Sequence, residues 1–349
     1  MGYRTIVVGT DGSDTATRAI DKATRLAKHV EGQLVIVCAT SNIGLHDYAA
    51  EKILAEATAR VEAAGVRAVP QFREGPPEKI LVAMATEHEA DLIVIGNVGM
   101  GKARRFRIGP IPERIATGAP CDVLIVFTTE EDEAPGEEDG FYKRILVGTD
   151  GSPTAAEAAR KAFDIGMMFR IGVTVVYVAG DEIVGAIVLE QTLKTKPRAL
   201  GVQSRIVTGK PADEICKIAE GDEELDLIVV GNRGMTGARR MLGSVPTQVM
   251  HRAPTDVLIA KTVDRTLDDL GPGMGGLVNV DGKKIAAYRN PDGSLVALSP
   301  RCAHMGCTVD WNSVEATWDC PCHGSRYSKE GELLQGPAKT GLDKEEIPG

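Results

Sequence analysis

Aromatic side chains are scarce in this chain, 4% of 349 residues, with only two tryptophans. That scarcity suits α/β domains whose sheets are aliphatic. Basic charge is also short: 40 Lys and Arg stand against 49 Asp and Glu, a formal net charge of −9. This argues against nucleic acid or an anionic membrane as the main partner. No apolar run approaches the ~20 residues of a membrane span. The N-terminus, Met1-Gly-Tyr-Arg-Thr-Ile-Val-Val-Gly9, runs directly into a strand pattern, with no signal peptide. The expected compartment is therefore the cytoplasm. The rest of the composition, 43% hydrophobic and 26% charged, is ordinary for a globular protein. The length leaves room for two or three domains.

What is present first is a repeat of strand–helix units. Residues 4–9 read as a buried strand, Thr10-Asp11-Gly12-Ser13 turns out of it, and 14–30 has helical periodicity. Further strands follow at 33–39, 66–72, 91–96 and 122–127, with helices at 47–64 and 76–89 between them. Continuous apolar strands alternating with helices imply a parallel sheet covered on both faces. The pattern then returns. Ile6-Val-Val-Gly-Thr-Asp-Gly-Ser13 reappears as Ile145-Leu-Val-Gly-Thr-Asp-Gly-Ser152. Asp91-Leu-Ile-Val-Ile-Gly-Asn97 reappears as Asp226-Leu-Ile-Val-Val-Gly-Asn232, and Ala119-Pro-Cys-Asp122 as Ala253-Pro-Thr-Asp256. The second copy is shorter between its second and third strands, where 181–200 replaces a longer helix.

Each copy resembles a universal stress protein domain, over about 1–129 and 141–262, with residues 130–140 as an acidic linker. The resemblance implies a doubly wound, Rossmann-like fold and an adenine nucleotide, ATP or AMP with or without Mg, at the strand C-termini. It also implies that the two fifth strands pair as an intramolecular pseudo-dimer. The family's loop after strand four reads G-x2-G-x9-G-[S/T]. Glycines let backbone N–H groups approach phosphates, and the last Gly-Ser opens a helix whose N-terminus favours anions. The first copy has Gly96, Gly99 and Gly109 at the right spacing, but Pro110 in place of Ser. Proline offers neither hydroxyl nor N–H; Arg104, Arg105 and Arg107 could partly substitute as charges. The second copy has Gly231, Gly234, Gly243 and Ser244, one residue short. Asp11 and Asp150, each following a threonine (Thr10, Thr149), match the family's acidic residue near the ribose or a phosphate-bound metal. Alternatively, both loops are only turns that close the sheet.

After a linker at 263–273 the composition changes to hairpin signals, Val278 to Ile285, Asn290-Pro-Asp-Gly293 and Lys329-Glu-Gly331. Residues 274–349 read as a small all-β domain. It holds Cys302-Ala-His304-Met-Gly-Cys307 and Cys320-Pro-Cys322-His323-Gly-Ser325, four of the seven cysteines and two of the six histidines. Residues 308–319 separate the boxes, a length that fits one strand pair. Gly306 and Gly324 allow turns that a side chain would block.

Two thiolates and two imidazoles suit structural zinc, and they are also the ligand set of a Rieske [2Fe–2S] centre. Zinc explains four ligands; it does not explain two further cysteines at matched offsets or the Gly-Ser-x-Tyr tail. The pattern resembles the Rieske family at every motif position. By that resemblance Cys302 and Cys320 hold one iron, His304 and His323 the other, and Cys307 and Cys322 form a disulfide over the cluster. Free thiols are the alternative for that pair, since cytosolic disulfides are uncommon. Ser325 and Tyr327 match the hydroxyls that hydrogen-bond to the cluster and a cysteine sulfur. Neutral histidine ligands raise the potential to between about −150 and +300 mV, and the hydroxyls place it in the upper half. Exposed ring nitrogens on His304 and His323 would make the potential fall as pH rises. Cys38, Cys121 and Cys216 read as buried apolar side chains.

The expected function is a redox-linked stress protein with an unknown redox partner protein and an adenine nucleotide as partners. A homo-oligomer is an open option. The alternatives are a ferredoxin-like carrier whose front domains only dock it, and a non-redox interaction protein. A Rieske oxygenase would need a 2-His-1-carboxylate iron domain, which is not expected here, and no nucleophile–base constellation is visible.

Overall fold

The structure, a computed structural model, describes residues 3–40, 47–97, 108–127, 141–178, 180–232, 242–262, 266–280, 283–312, 315–320 and 323–347. Gly99, Gly234, Cys322 and the acidic stretch 130–140 lie outside them, as do Arg104, Arg105 and Arg107. The chain divides into two compact units, one spanning Tyr3–Thr262 and one formed by the residues after it.

In the first unit the elements run β1 (Thr5–Thr10), α1 (Asp14–His29), β2 (Gln33–Thr40), α2 (Asp47–Ala63), β3 (Arg67–Glu74), α3 (Pro77–Glu87), β4 (Leu92–Gly96), α4 (Pro110–Gly118) and β5 (Asp122–Val126). The second copy repeats them as β6 (Arg144–Thr149), α5 (Pro153–Phe169), β7 (Gly172–Val178), α6 (Glu182–Leu193), β8 (Val202–Val207), α7 (Pro211–Glu220), β9 (Leu225–Gly231), α8 (Ser244–Arg252) and β10 (Asp256–Ala260). The ten strands form one sheet in the order β3-β2-β1-β4-β5-β10-β9-β6-β7-β8. Every pair is parallel except β5 with β10, where Leu124 faces Leu258. The strand-five pairing implied by the family resemblance is thus present. The central strands read Ile, Val and Leu without alternation because helices bury both faces: Ile6, Val7, Val8, Ile93 and Val94 are all fully buried.

Two aspartates at the start of the fifth strands bind the copies together. Asp122 accepts the Tyr3 hydroxyl (2.8 Å) from its own copy and, from the other copy, the Lys161 ammonium and the Lys261 backbone N–H (2.8 Å). Asp256 mirrors it, accepting Tyr142 (2.8 Å), the Lys22 ammonium (2.8 Å) and the Phe127 N–H (2.9 Å). Both carboxylates are buried. Burial and the adjoining Asp carboxylate push the hydroxyls of Tyr3 and Tyr142 well above the ordinary tyrosine range, so both stay hydrogen-bond donors.

The second unit is built from β11 (Gly275–Val280), β12 (Lys283–Arg289) and β13 (Leu295–Leu298) in one antiparallel sheet. A second sheet holds β14 (Asp310–Asn312), β15 (Thr317–Asp319), β16 (Arg326–Ser328) and β17 (Leu333–Gln335). Strand β12 serves two cores by its period of two. Ala286 and Tyr288 join Leu298, Val309, Trp318 and Tyr327 on one side. Ile285 and Ala287 join Leu270, Val278 and Ala297 on the other. Trp311 and Trp318 meet across β14 and β15 with ring centroids 4.9 Å apart.

Candidate metal centre and nucleotide-fold crevices

The two Cys/His boxes fold into loops of the same form, one on each side of the β14–β15 hairpin. In the first loop the Cys302 N–H donates to the Cys307 carbonyl (2.8 Å) and the Gly306 N–H to the Cys302 carbonyl (2.9 Å). In the second, the Cys320 N–H donates to the Ser325 carbonyl (2.7 Å) and the Gly324 N–H to the Cys320 carbonyl (3.0 Å). Each loop closes through its glycine, at φ of 77° for Gly306 and 73° for Gly324, a conformation that other residues adopt at a cost. The residue types at these spacings therefore set the loop shape before any metal is considered.

The loops separate their donors by type. Cys302 and Cys320 are both buried, whereas His304 and His323 are exposed. The two imidazoles stand side by side, centroids 4.9 Å apart and nearly perpendicular. Among the described residues no three His, Cys, Asp or Glu side chains form a group suited to one metal ion. Two pairs, a buried sulfur pair and an exposed nitrogen pair, suit a binuclear group with distinct ends better than a single tetrahedral ion.

Hydroxyls surround the sulfur pair. The Tyr327 oxygen accepts the Ala303 N–H (3.2 Å), so its own proton is free to go to Cys302 Sγ, 3.0 Å away. The Ser325 oxygen accepts the Ala338 N–H (3.0 Å), which likewise leaves its proton for the site. Both residues are fully buried. Burial works against ionising the Cys302 thiol, but hydrogen bonds from Tyr327, the His304 backbone, Cys320 and Ser325 outweigh it and hold the thiol below its ordinary value. Burial, then the bond to Cys302, raises Tyr327 well above the usual tyrosine range. A thiolate flanked by donors is the form a metal ligand needs.

In the stress-type half, the described residues expected to serve a nucleotide lie at strand C-termini or helix starts, and most already have a local partner. Asp11 accepts the Ser13 N–H (3.0 Å) and hydroxyl (2.5 Å), and Asp150 accepts the Ser152 N–H (2.9 Å). Ser13 and Ser152 in turn cap α1 and α5. Thr10 accepts the Gly12 N–H (3.2 Å), and Thr149 accepts that of Gly151 (3.3 Å) while touching Thr192 of α6. Gly96 and Gly231 let a helix N-terminus approach: a Cβ at Gly96 would sit 3.2 Å from the Thr15 carbonyl, and one at Gly231 2.7 Å from that of Thr154. Gly109 and Gly243 open α4 and α8, but their N–H groups donate to the Asn97 (2.8 Å) and Asn232 (2.9 Å) carbonyls. Ser244 is exposed in the first turn of α8. These contacts give the motif a packing reason that holds with or without a nucleotide.

The remaining described cysteines are buried. Burial pushes Cys216 up to about 11 and Cys121 further; burial, then Asp11, raises Cys38. Cys38, Cys121 and Cys216 are accordingly expected to resist alkylation in the native protein at pH 8 and to react in denaturant, as mass spectrometry of peptides would read. Of the histidines, His29 is exposed but packs at a tilt against Phe169, ring centroids 4.5 Å apart, and His251 lies 3.4 Å from Glu113 of the other copy. His88 is half-buried, with Nε2 lacking a hydrogen-bond partner.

The architecture is a fusion of a duplicated doubly wound α/β half and a small β-domain carrying a two-loop Cys/His centre. The chain belongs to the universal stress protein family, which it matches over residues 2–126, 141–192 and 181–261, and it carries a Rieske [2Fe-2S] domain over 261–345. The Rieske domain supports a [2Fe–2S] cluster. A universal stress protein of Mycobacterium tuberculosis is 35% identical over 146 residues, 36% of this chain and 98% of that protein. A Rieske 2Fe-2S iron-sulfur protein of Bacillus subtilis is 45% identical over 75 residues, 22% of this chain but only 15% of that protein. Among solved structures, a universal stress protein of Archaeoglobus fulgidus shares the fold, with TM-score 0.61 and 20% identity over 75% of this chain and 99% of that one. Among the described residues no helix is long and apolar enough to cross a membrane.

Proposed function

We propose that the protein is a redox-linked stress protein that passes or senses one electron at its C-terminal centre. In this reading Cys302 and Cys320 hold one iron and His304 and His323 the other, while Cys307 and Cys322 form a disulfide across the two loops. The observation that carries it is the segregation of donors into a buried sulfur pair beside Tyr327 and an exposed imidazole pair. When bound, the cluster supplies a one-electron couple of comparatively high potential. The residues of the chain tune and present it. Tyr327 and Ser325 place hydroxyl protons against the sulfur end, where added negative charge strengthens each bond. The exposed rings of His304 and His323 bring the nitrogen end to the surface, where a partner protein can approach. Unpaired Cys38, Cys121 and Cys216 suit a reducing compartment, the cytoplasm.

The deciding measurement is absorption and EPR spectra of anaerobically purified protein, oxidised and reduced, with iron and zinc counted on the same sample. Two irons per chain and a Rieske-type signal in the reduced sample support the reading; one zinc and no signal sink it. Tyr327→Phe removes one donor to Cys302 and is expected to lower the potential by about 60 mV, the equivalent of one hydrogen bond's preference for the reduced state. Redox titration of both proteins would show it, and an unchanged potential would remove Tyr327 from the tuning set.

For the stress-type half, the reading adds adenine-nucleotide binding in one or both crevices at the strand C-termini. The occupied N–H groups of Gly109 and Gly243 favour a second reading, in which this half only docks the electron-transfer domain to a partner. ATP titration decides between them: calorimetric binding together with a shifted cluster potential supports coupling, and binding without a shift, or none, supports the docking scaffold.

A further inference from the structure

Among the described residues β3 and β8 are the two edge strands of the ten-stranded sheet, and they are treated differently. The edge strand β3 carries Pro70 at its centre, opposite Ile36 of β2. Proline at an edge lacks a donor and blocks the addition of a further strand. The edge strand β8, Val202-Gln-Ser-Arg-Ile-Val207, has no proline and a single charge, Arg205, and its four central residues are exposed. Beside it α6 is apolar nearly all round. Ile183, Val184 and Ile187 of α6 and Ile206 of β8 are four of the eight large hydrophobic side chains exposed among the described residues. Exposed apolar side chains gathered on two neighbouring elements at one edge of the sheet point to an interaction surface.

The backbone fixes which groups of β8 are available. The Val173 N–H of β7 donates to the Gly201 carbonyl (3.1 Å). Residues alternate, so Gly201, Gln203 and Arg205 turn their backbone groups toward β7, and Val202, Ser204 and Ile206 turn theirs outward. The same three residues share the α6 face, where Ile206 reaches to 3.2 Å of a Cβ placed on Gly185.

We propose that β8 pairs with β8 of a second copy of this chain, antiparallel, with Ser204 on the twofold axis. This register sets all three outward residues against outward residues: Ser204 against Ser204, and Val202 against Ile206 on both sides. Apolar pairs then lie on the α6 face, and Gln203 faces Arg205 on the other. Moving the axis to Arg205 would oppose two like charges. The pairing is isologous and closes as a dimer, while a head-to-tail filament through β3 is stopped by Pro70. The sheet already uses antiparallel edge pairing once, at β5 and β10.

The test uses the full chain. Sedimentation of the wild-type protein should give twice the chain mass. Ser204→Pro deletes an outward N–H that β7 does not use, so each dimer loses two hydrogen bonds, and dimerisation should weaken by about thirtyfold. Ile206→Lys leaves the backbone intact and should give the same loss, with circular dichroism confirming the fold of both variants. Ser204→Cys should cross-link to a dimer under mild oxidation, because paired strands hold opposite Cα atoms about 5.5 Å apart. A single-chain mass for the wild type, or a dimer that survives both Ser204→Pro and Ile206→Lys, overturns the proposal.

Discussion

His323→Ala is expected to yield protein without iron and without a reduced EPR signal, while the stress-type half unfolds at the same temperature as before. The loss should be complete. In the proposed assignment His304 and His323 are the two imidazole ligands, so the substitution would leave that iron with one protein ligand. The exposure of His323 means that its ring supports little packing. The second loop is held by backbone bonds, Cys320 N–H to Ser325 and Gly324 N–H to Cys320, so the truncation removes a ligand and leaves the loop. Cys320→Ser attacks the same site from its buried end, 2% exposed, and should also abolish iron but with some loss of stability in the β-domain. Metal counting paired with calorimetry separates the two effects. Retention of two irons by His323→Ala would overturn the ligand assignment.

The second large effect lies in the stress-type half. Asp122→Ala should destabilise the stress-type half by about 3–5 kcal/mol, the usual cost of breaking a buried ion pair from one side. In thermal unfolding that is a drop of roughly 10 °C. The physical reason is what the substitution leaves behind. Lys161 is 8% exposed and would be left with the Lys261 carbonyl (3.1 Å) and Glu157 (4.0 Å) as partners. The Tyr3 hydroxyl and the Lys261 N–H would lose their acceptor. Asp256→Ala should be milder, because Lys22 is 25% exposed and can turn to water. Equal losses for the two variants would mean that burial of the paired lysine does not set the size of the effect, and negligible losses for both would mean that the cross-copy bonds do not control stability.

The C-terminal centre was legible in the sequence because its determinants are local. Each loop is closed by a cysteine and a glycine four residues apart, so the spacing carries the geometry. The doubly wound copies were legible for a similar reason: unbroken runs such as Leu92 to Ile95 leave no polar face for a solvent-exposed strand. The Asp122 and Asp256 network was not. The sequence shows both residues inside a repeated Ala-Pro-x-Asp segment, but their partners stand up to 234 positions away, and no periodicity connects a fifth strand to a first helix in the other copy. The glycines of the phosphate-type motif were legible as glycines, yet a close approach of backbone to backbone and one of backbone to phosphate demand the same residue. Gly231 beneath the Thr154 carbonyl meets the first demand, and sequence alone does not distinguish them.

The reciprocal bonding of the fifth strands also settles composition. An edge that separate single-domain stress proteins could use to mix with one another is here consumed within one polypeptide, where the effective concentration of the partner copy far exceeds that of any competitor. Subunit exchange through that edge is closed. Within this chain one Rieske domain is joined to one such pair of stress domains, and the two copies are free to diverge without ever meeting a mismatched partner.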